Sequence, residues 1–534
     1  CMKFKKLILF ITFISLLLGE NKRLSFDDVQ GKSPFEYARL GMMKWLPDQN
    51  TYLSWGKDSY KGHIVSVKFP EQDTTVFVDS SLFYLNGKKL SIYSFNLDES
   101  KSKLLLLTKR KKIWRHSFYG EYFVLDLPTK TVFPITKNND DLRNVKLSPD
   151  GKKVAYVRKD NNLYIFDLNR KKEKRLTKNG SSAYLNGHFG WVYEEEFGSY
   201  DAYRWSPNSK HIAYWQVDQS KVPVFRMFDE LGLYPKIQEI HYPKAGQTNP
   251  TMSIFVVDVN RGRSKKMDIK DSNDKYYPWM KWINNESLVI MRMNRLQNFW
   301  EFLTVSRSNG KSTAGLTESD PNGWVDLHRN YRFLENGNIL WISERTGWKH
   351  LFLHSKNGKL INQITDGEWE VKRIVHIDEN KNKIYFTSNK ESVFETRFYS
   401  INFDGSGLKL LTNEEGSHSI KVLPKGDSFI DSFSSLKQPQ KHLLKDMNGK
   451  LIKIIAETDK SQFEIYDWTY PQIMQFKSDD GATTLDGIVT FPPDYQKNKR
   501  YPVIVYGYGM PGTQIVNKRW GSSWNQYLAH KGYV

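Results

Sequence analysis

A repeating unit constrains the fold of this chain more than any other feature. It begins with a residue that is most often Trp or Leu, and a turn rich in Pro, Asp, Asn or Gly, an alternating strand, a second turn and another strand follow. The eight instances begin near Trp45, Asn96, Leu147, Trp205, Trp282, Leu334, Ile377 and Leu423. Successive starts are mostly 43 to 58 residues apart, which is enough for a four-stranded sheet and its loops. The one longer interval, from Trp205 to Trp282, must carry an insertion.

The third instance shows why this pattern forms sheets. The Ser-Pro-Asp-Gly sequence at residues 148–151 combines a fixed φ with a residue that tolerates positive φ, so the chain reverses there. Residues 154–157 and 163–168 then have the composition of strands, and the polar turn 159–162 joins them. Sheets that repeat around an axis bury both faces against their neighbours. The sequence therefore predicts a mainly β fold with an eight-bladed β-propeller over residues 45–460, and seven blades are the nearest alternative.

The segment before the repeat, residues 24–44, has a helical pattern. It opens on Ser25 and Asp28, which have the spacing of an acidic variant of the capping box. The sequence therefore predicts a short helix ahead of the first blade.

The segment after the repeat, residues 461–534, changes pattern again. Residues 501–506 form a short apolar run, typical of a strand in an α/β sheet that is covered on both faces. We expect residues 520–532 to form the crossover helix that follows it, and residues 533–534 to open the next strand.

The first 23 residues have the pattern of a secretory signal peptide. A basic start is followed by the apolar run 7–18 and then by small or polar residues. This run is shorter than the about 20 residues of a membrane span, so cleavage is expected, with an uncleaved anchor as the alternative. We therefore expect export to the periplasm or the extracellular space, with no membrane contact unless the anchor is retained. The single cysteine, Cys1, precedes Met2, so disulfide and thiolate chemistry are not expected.

The formal net charge of +20 does not indicate a nucleic-acid partner. The lysines are scattered over turns and strand ends, as in a solvated surface that protects sheet edges, and only residues 109–112 form a compact basic run. No set of His, Cys or carboxylate residues has metal-ligand spacing, and no glycine-rich loop leads into a helix in a way that cradles phosphate. We expect no metal, no cofactor and no nucleic acid.

The cluster that points to chemistry lies at residues 190–197. Three consecutive carboxylates, Glu194, Glu195 and Glu196, stand there among three aromatic residues. Two carboxylates held in one desolvated site repel each other, which raises a pKa unless a cation is present. A substrate ammonium would meet that need, and a solvated acidic turn is the alternative interpretation.

This cluster belongs to a longer motif, which continues through residues 200–208 and 212–218 and is followed by residues 242–250. In that order the residues resemble the dipeptidyl peptidase IV branch of the prolyl oligopeptidase family of serine peptidases. The resemblance extends from about Ser25 to the end of the chain. It implies that an α/β-hydrolase domain begins in residues 461–534, and that the leading segment, residues 24–44, packs toward that domain.

The resemblance implies that Glu195 and Glu196 bind the free α-ammonium of a peptide. An ammonium offers three donors, and two anionic acceptors can satisfy them with charge-assisted hydrogen bonds. A fixed distance between this amine and the nucleophile allows cleavage only near the N-terminus, so an exopeptidase results.

Arg115 falls on the arginine that, in the family, contacts the carbonyl of the second residue from the scissile bond and helps to fix the glutamates. Its planar guanidinium stays charged and can serve two acceptors at once. A salt bridge between blades is the alternative role. The neighbouring His116 is expected to be structural or exposed and not catalytic.

Tyr508 falls on the tyrosine whose hydroxyl stabilises the oxyanion, because residues 501–514 align without gaps to the first hydrolase strand and the loop after it. A phenolic donor aimed at developing charge is a typical component of an oxyanion hole. Tyr506 is the alternative for this role, and a buried aromatic of the sheet is the alternative for both. The motifs at residues 295–298 and 347–350 also resemble the family, and we expect them to serve packing within the propeller.

The implied function is that of a serine exopeptidase that releases Xaa-Pro or Xaa-Ala dipeptides from peptides with a free N-terminus. This chain would supply amine binding and substrate gating, and homodimers are common in the family. No Gly-x-Ser-x-Gly occurs in the 534 residues, and such hydrolases carry Ser, Asp and His in that order on later strands and loops. We therefore expect the triad, and most of the pocket for the proline ring, beyond Val534, and no activity from the 534 residues alone. The alternatives are a prolyl tripeptidyl peptidase of the same branch and a non-catalytic propeller that binds peptides.

Overall fold

Eight antiparallel sheets follow one another along the computed structural model, which describes residues 22–47, 49–270, 274–327, 330–509 and 512–534. Seven of these sheets have four strands and the fourth has five. The prediction of an eight-bladed β-propeller is confirmed. The predicted signal peptide, with Cys1 and Met2, lies outside the described residues except for its last two positions.

The first four blades contain 17 of the strands, and two small hairpins accompany them. Blade 1 contains β1 (Lys44–Trp45), β2 (Thr51–Trp55), β3 (Ile64–Lys68) and β4 (Thr74–Val78), and the hairpin β5 (Tyr84–Leu85) and β6 (Lys88–Lys89) follows it. Blades 2 and 3 contain β7 (Ser94–Leu97), β8 (Lys103–Lys112), β9 (Phe118–Asp126), β10 (Thr131–Pro134), β11 (Arg143–Leu147), β12 (Lys153–Val157), β13 (Leu163–Asp167) and β14 (Lys172–Arg175). Blade 4 contains β15 (Tyr184–Asn186), β16 (Tyr203–Trp205), β17 (His211–Asp218), β20 (Thr251–Asp258) and β21 (Ser264–Lys266), with the inserted hairpin β18 (Val224–Asp229) and β19 (Lys236–His241).

The last four blades are regular four-stranded meanders. Blades 5 and 6 contain β22 (Lys275–Trp282), β23 (Ser287–Asn294), β24 (Phe299–Ser306), β25 (Ser312–Ser319), β26 (Tyr331–Phe333), β27 (Ile339–Ser343), β28 (His350–His354) and β29 (Leu360–Gln363). Blades 7 and 8 contain β30 (Val371–Asp378), β31 (Lys383–Ser388), β32 (Arg397–Asn402), β33 (Lys409–Leu410), β34 (Ser417–Val422), β35 (Ser428–Ser434), β36 (Lys441–Asp446) and β37 (Leu451–Glu457).

The turn of each sequence repeat lies inside a blade, between its first two meander strands. In blade 3, Ser148 accepts a hydrogen bond from the Lys153 amide at 2.9 Å and donates to Asp150 at 2.7 Å, and Gly151 has φ +65°. The apolar residue at the start of the repeat therefore ends the first strand of a blade. That strand is only two to eight residues long, which often leaves too little alternation to recognise in the sequence.

The insertion expected between Trp205 and Trp282 is the β18–β19 hairpin, which forms a separate two-stranded sheet in the connection from β17 to β20. All six residues of β18 are exposed. Its tip carries Leu231 and Leu233, whose surfaces are 99% and 94% exposed. The blade-4 insertion therefore presents apolar side chains to solvent.

Cores lie between adjacent blades. Blades 2 and 3, for example, share a cluster that includes Val124 and Tyr156. Blade 1 packs in the same way against blade 8, where Tyr52 and Val67 contact Ile430 and Leu444. All strands of blade 1 come from the start of the repeat region, and all strands of blade 8 come from its end. The two blades exchange no strand, so side-chain packing closes the ring.

The described segments before and after the propeller contact each other. Helix α1 (Phe26–Gln30) has the predicted capping box, in which Ser25 accepts from the Asp28 amide and Asp28 accepts from the Ser25 amide. The Leu24 amide donates to Nδ1 of His530 at 2.8 Å. The segment before the first blade thus contacts the C-terminal segment directly.

The C-terminal segment contains few regular elements. They are helix α3 (Ser461–Glu464), the hairpin β38 (Gln472–Lys477) and β39 (Thr484–Val489), and helix α4 (Ser523–His530), which lies within the predicted crossover helix. The strand predicted at residues 501–506 is not formed as such. Among the described residues, its backbone forms only one parallel pair of hydrogen bonds, from the Ile504 amide to the Val534 carbonyl and from the Val534 amide to the Pro502 carbonyl. An apolar run becomes a strand only when neighbouring strands supply hydrogen bonds, and Val505 is 87% exposed here.

An ion-pair network connects this segment to blade 7. Lys518 donates from its backbone amide to the Phe394 carbonyl at 2.9 Å and from Nζ to Glu395 at 2.7 Å. Arg397 donates to the same carboxylate from Nε at 2.6 Å. Burial would raise the pKa of Glu395, but the hydrogen bonds from Lys518 and Arg397 outweigh it and hold that pKa below its ordinary value. We call Glu395, Arg397 and Lys518 the blade-7 latch.

In the part of the chain that the structure describes, no helix is long and apolar enough to cross a membrane.

Candidate functional site

The three glutamates lie on one short helix in blade 4. Helix α2 (Trp191–Phe197) stands between β15 and β16, begins after Gly190 in extended conformation, and ends at Gly198, whose φ of +59° permits a left-handed cap. The Gly198 amide donates to the Tyr193 carbonyl there. Tyr193 fixes the helix to blade 5, since its hydroxyl accepts from the Tyr277 amide at 3.0 Å.

The helix directs its three carboxylates into different environments. Successive residues of an α-helix point about 100° apart, so three neighbours cannot share one face. Glu194 is buried, Glu195 is half-buried and Glu196 is exposed. The three adjacent carboxylates are therefore not equivalent, because Glu194 faces the protein interior while Glu195 and Glu196 are more accessible to solvent.

Glu195 forms a two-pronged ion pair with Arg115. Nε of Arg115 donates to one carboxylate oxygen at 3.0 Å, and Nη2 donates to the other. Arg115 comes from the β8–β9 loop of blade 2, so the pair links blades that are not adjacent. The hydrogen bond from Arg115 lowers the pKa of Glu195. Sequence reasoning placed these two residues at one site, and the structure brings them together.

On the solvent-exposed side of this ion pair, which we call the open side, Glu196 and Arg115 each have atoms that can accept or donate a further hydrogen bond. Glu196 forms no hydrogen bond or ion pair with any other residue that the structure describes. Nη1 of Arg115 likewise donates to no described residue. An exposed carboxylate and a free guanidinium N–H therefore flank the ion pair.

Tyr508 lies near the same arginine. The hydrogen bond to Glu195 raises the pKa of Arg115 above its usual value, and the electrostatic interaction with Tyr508 acts in the same direction. The ring of Tyr508 is about half exposed, whereas Tyr506 is more exposed. Of the two tyrosines considered from the sequence, Tyr508 is thus the one with an interaction with Arg115.

Glu194 has a role that sequence reasoning missed. Its Oε1 accepts hydrogen bonds from the backbone amides of His116 at 2.6 Å and Ser117 at 2.8 Å. The His116 ring itself is exposed and stacks on Tyr200, with the ring centroids 6.0 Å apart. The sequence did indicate a further role, because only two of the three consecutive glutamates had been assigned one. A third acid at a helix start needs its own partner.

The two other family-like motifs serve packing. His350, in the 347–350 motif, is buried and bonds Thr365 at 3.1 Å and the Gly367 carbonyl at 2.9 Å. Asn298, in the 295–298 motif, accepts from Asn294 at 2.7 Å within its own loop. A cavity of about 380 Å³ borders Gly347 and Trp324 but contains none of the predicted site residues. Among the described residues, no group of three His, Cys, Asp or Glu could hold a metal ion.

Comparisons with known proteins agree with this architecture. A family profile described as the dipeptidyl peptidase IV (DPP IV) N-terminal region matches residues 98–440. Dipeptidyl peptidase 4 of Trichophyton rubrum is 28% identical over 97% of this chain and 67% of its own length. A probable dipeptidyl peptidase 4 of Arthroderma benhamiae is 29% identical over the same shares.

Solved structures show the same fold. The crystal structure of Porphyromonas gingivalis dipeptidyl peptidase 4 superposes with a TM-score of 0.87 at 26% identity, over 96% of this chain and 73% of that one. A putative dipeptidyl aminopeptidase IV from Bacteroides ovatus gives a TM-score of 0.75 over 96% and 74%. Its identity is 23%, so that likeness concerns the fold alone.

Proposed function

The chain belongs to the dipeptidyl peptidase IV branch of the prolyl oligopeptidase family, and from this premise we propose that it is the amine-binding and substrate-gating part of a serine-type dipeptidyl peptidase. The protein would release Xaa-Pro or Xaa-Ala dipeptides from peptides with a free N-terminus. The observation that carries the proposal is the Arg115–Glu195 ion pair, flanked by the exposed carboxylate of Glu196 and approached by Tyr508.

The amine end of the substrate would be held by the two carboxylates. A peptide ammonium has three N–H donors, and Glu195 and Glu196 offer acceptor sites on the open side of the helix. The ion pair with Arg115 holds Glu195 in one orientation before the substrate arrives, which reduces the entropy lost on binding. Nη1 of Arg115 is available for the carbonyl of the second residue from the scissile bond.

The peptide bond to be cut would then lie at a fixed distance from this grip. Attack by the serine hydroxyl, with its proton passing to the histidine, forms a tetrahedral intermediate whose oxyanion accepts a hydrogen bond from the Tyr508 hydroxyl. Collapse of the intermediate expels the shortened peptide, whose new amine takes that proton, and water then releases the dipeptide from the serine. We place the Ser, Asp and His beyond Val534, in the order usual for α/β-hydrolases.

Two properties accompany this proposal. Export would expose the enzyme to extracellular or periplasmic peptides, as the signal-peptide pattern indicates. A second copy of the chain would cover the β18–β19 hairpin, because exposed apolar side chains at its tip are typical of an interaction surface.

The test compares peptide substrates that differ only at the amine. The full-length protein should cleave H-Gly-Pro-anilide and should cleave the N-acetyl form at least about 100-fold more slowly, because acetylation removes the cation. Mass spectrometry of a longer peptide that carries Pro or Ala at position 2 and Pro at position 4 should show a dipeptide as first product. A tripeptide as first product would replace the proposal with tripeptidyl release, and equal cleavage of both anilides would contradict amine binding.

Variants assign the binding to the two glutamates. Glu195→Gln and Glu196→Gln should each lower kcat/KM for H-Gly-Pro-anilide about 10- to 100-fold, the range expected for a hydrogen bond to a charged group. Glu335→Gln is the matched control, because it removes the same charge from an exposed turn at the opposite end of the blades. A similar loss in the control would show that net charge, and not the site, is responsible.

A further inference from the structure

We propose that two buried charged residues, Glu194 and Arg143, together position the loop that carries Arg115. They thereby set the geometry of the amine-binding site formed by Glu195, Glu196 and Arg115, which we call the amine grip. Neither side chain reaches the open side of the site, so both are positioning residues and not catalytic ones. The inference rests on the proposed function, because it concerns how the same amine site is built.

Glu194 joins two distant parts of the chain with one oxygen atom. Its side chain is 1% exposed, and its Oε1 accepts from the amides of His116 and Ser117, which lie 78 and 77 residues earlier. The residue after Glu194 is Glu195 and the residue before His116 is Arg115. The buried contact therefore lies one residue away, in both segments, from the more exposed Arg115–Glu195 ion pair.

The hydrogen bonds to the buried Glu194 explain how the more exposed Arg115–Glu195 pair can keep one geometry. An exposed ion pair loses side-chain entropy when it orders and is screened by salt, so by itself it holds a geometry weakly. Two backbone amides bound to one buried carboxylate leave the loop far less freedom, because amides that are turned away from that oxygen would be buried without a partner. Glu194 thus places the Arg115 backbone, and Arg115 needs only to extend its side chain.

Arg143 supplies the compensating charge. It lies on β11 of blade 3, between the blades that contribute the loop and the helix, and is 3% exposed. Burial lowers its pKa, while its interactions with Tyr119 and Glu194 act in the opposite direction. The same guanidinium adds to burial in holding the pKa of His188 well below its usual value. A buried carboxylate without a nearby cation would be costly, and Arg143 is the buried cation that interacts with Glu194.

Both residues have buried hydrogen-bonding atoms that are not yet satisfied. Among the described residues, Oε2 of Glu194 is buried without a partner, and so are Nε and Nη2 of Arg143. The indole N–H of Trp114 and the hydroxyl of Ser117, both in the Arg115 loop, are in the same condition. Donors and acceptor are complementary, so bridging water molecules can join them into one network.

The test uses single and double variants of the full-length protein. Glu194→Gln and Arg143→Met should each raise KM for H-Gly-Pro-anilide about tenfold while kcat changes less than about twofold, because the grip is displaced and the chemistry is not. Labelling by a small fluorophosphonate, which reacts with the serine without an amine, should keep its wild-type rate. Arg143→Lys should restore most of the wild-type KM, because it retains the charge.

The double variant keeps the proposal testable if either single variant fails to fold. Removing one partner leaves a buried charge alone, whereas Glu194→Gln with Arg143→Met removes both charges and is tolerated far better. Its KM should still be about tenfold raised, and less than the product of the two single effects. Glu301→Gln, which breaks the comparably buried Arg292–Glu301 pair of blade 5, is the matched control and should leave KM unchanged.

The results separate this inference from the function on which it rests. A wild-type protein that cleaves N-acetyl and free-amine anilides equally would refute amine binding itself. If the wild-type protein requires the free amine but the double variant has a native KM, then the inference alone is wrong. The same conclusion follows if Glu301→Gln raises KM as much as Glu194→Gln does.

Discussion

The propeller and the segment at residues 501–509 contain equally apolar runs, but the run in the propeller is buried and the other is exposed. In blade 3, residues 154–157 are completely buried, whereas Val503, Ile504 and Val505 are each more than half exposed. The strands of a blade obtain their ladder hydrogen bonds from residues within about one repeat, and the blade obtains apolar contacts from the next repeat. The 501–509 run depends on strands from elsewhere, and finds one parallel bridge at Val534. The two regions therefore differ in whether hydrogen-bond partners are available nearby in the sequence, and not in hydrophobicity.

The same difference passes through the proposed site. The amine grip is built on blades 2 and 4 and secured by the buried Glu194, so its geometry is part of a closed ring. Tyr508 belongs to the exposed segment and interacts electrostatically with Arg115. In the proposed mechanism, substrate binding and oxyanion stabilisation therefore depend on two regions that differ in burial.

Core substitutions in the two regions should give the largest contrast. Trp215→Ala removes a fully buried ring whose Nε1 donates to the Tyr277 carbonyl at 2.9 Å, and should lower the free energy of unfolding by about 3–5 kcal/mol. Val505→Ala should change it by less than about 0.5 kcal/mol, because the side chain is already in water. Urea unfolding followed by far-ultraviolet circular dichroism measures both, and similar midpoint shifts would remove the distinction.

The blade-7 latch should give an intermediate, pH-dependent effect. Glu395→Gln should lower the free energy of unfolding at pH 7 by about 1.5–3 kcal/mol, since it weakens hydrogen bonds to charged partners. The pKa of Glu395 is lowered in the folded protein, so its contribution is complete above the ordinary pKa of 4.5 and is lost as pH falls through the lowered value. The pKa of Lys518 is raised, mainly by its hydrogen bond to Glu395, so its contribution is lost only as pH rises above 10.5.

Urea midpoints between pH 7 and pH 3 measure the latch. The wild-type protein should lose more stability than Glu395→Gln over that range. Glu415→Gln is the matched control, because Glu415 contacts the same Lys518 at 3.3 Å but is exposed, and it should behave like the wild type. Parallel curves for wild type and Glu395→Gln would show that the latch carries no measurable energy.

The inserted hairpin should give the smallest effect on stability. Leu231→Asp combined with Leu233→Asp should leave the unfolding midpoint unchanged, because both side chains are solvent-exposed. Sedimentation velocity should nevertheless show a shift from dimer to monomer, since charges at an apolar contact oppose association. Leu360→Asp, at an exposed position of β29 outside the hairpin, should leave the dimer intact. A monomeric wild type, or a dimer that survives both aspartates, would exclude this surface.

Prediction from the sequence succeeded where the signal was local. The Ser-Pro-Asp-Gly turn at 148–151 and the Ser25 capping box each depend on residues within five positions of one another, and both formed as expected. The pairing of Arg115 with Glu195 came from resemblance and joins residues 80 positions apart. Glu194 escaped prediction because its partners are backbone amides, which have no signature in a sequence.

The sequence by itself determined the number of blades, the place of the insertion and the motif that contains the site, because turn residues and strand periodicity act over a few positions. Only the tertiary structure decided which of three adjacent glutamates is buried, that the buried Arg143 interacts electrostatically with it, and that the apolar run at 501–506 stays exposed. Those outcomes depend on which distant side chains and amides fill the surrounding space. Burial and charge compensation are properties of that space and not of any stretch of chain.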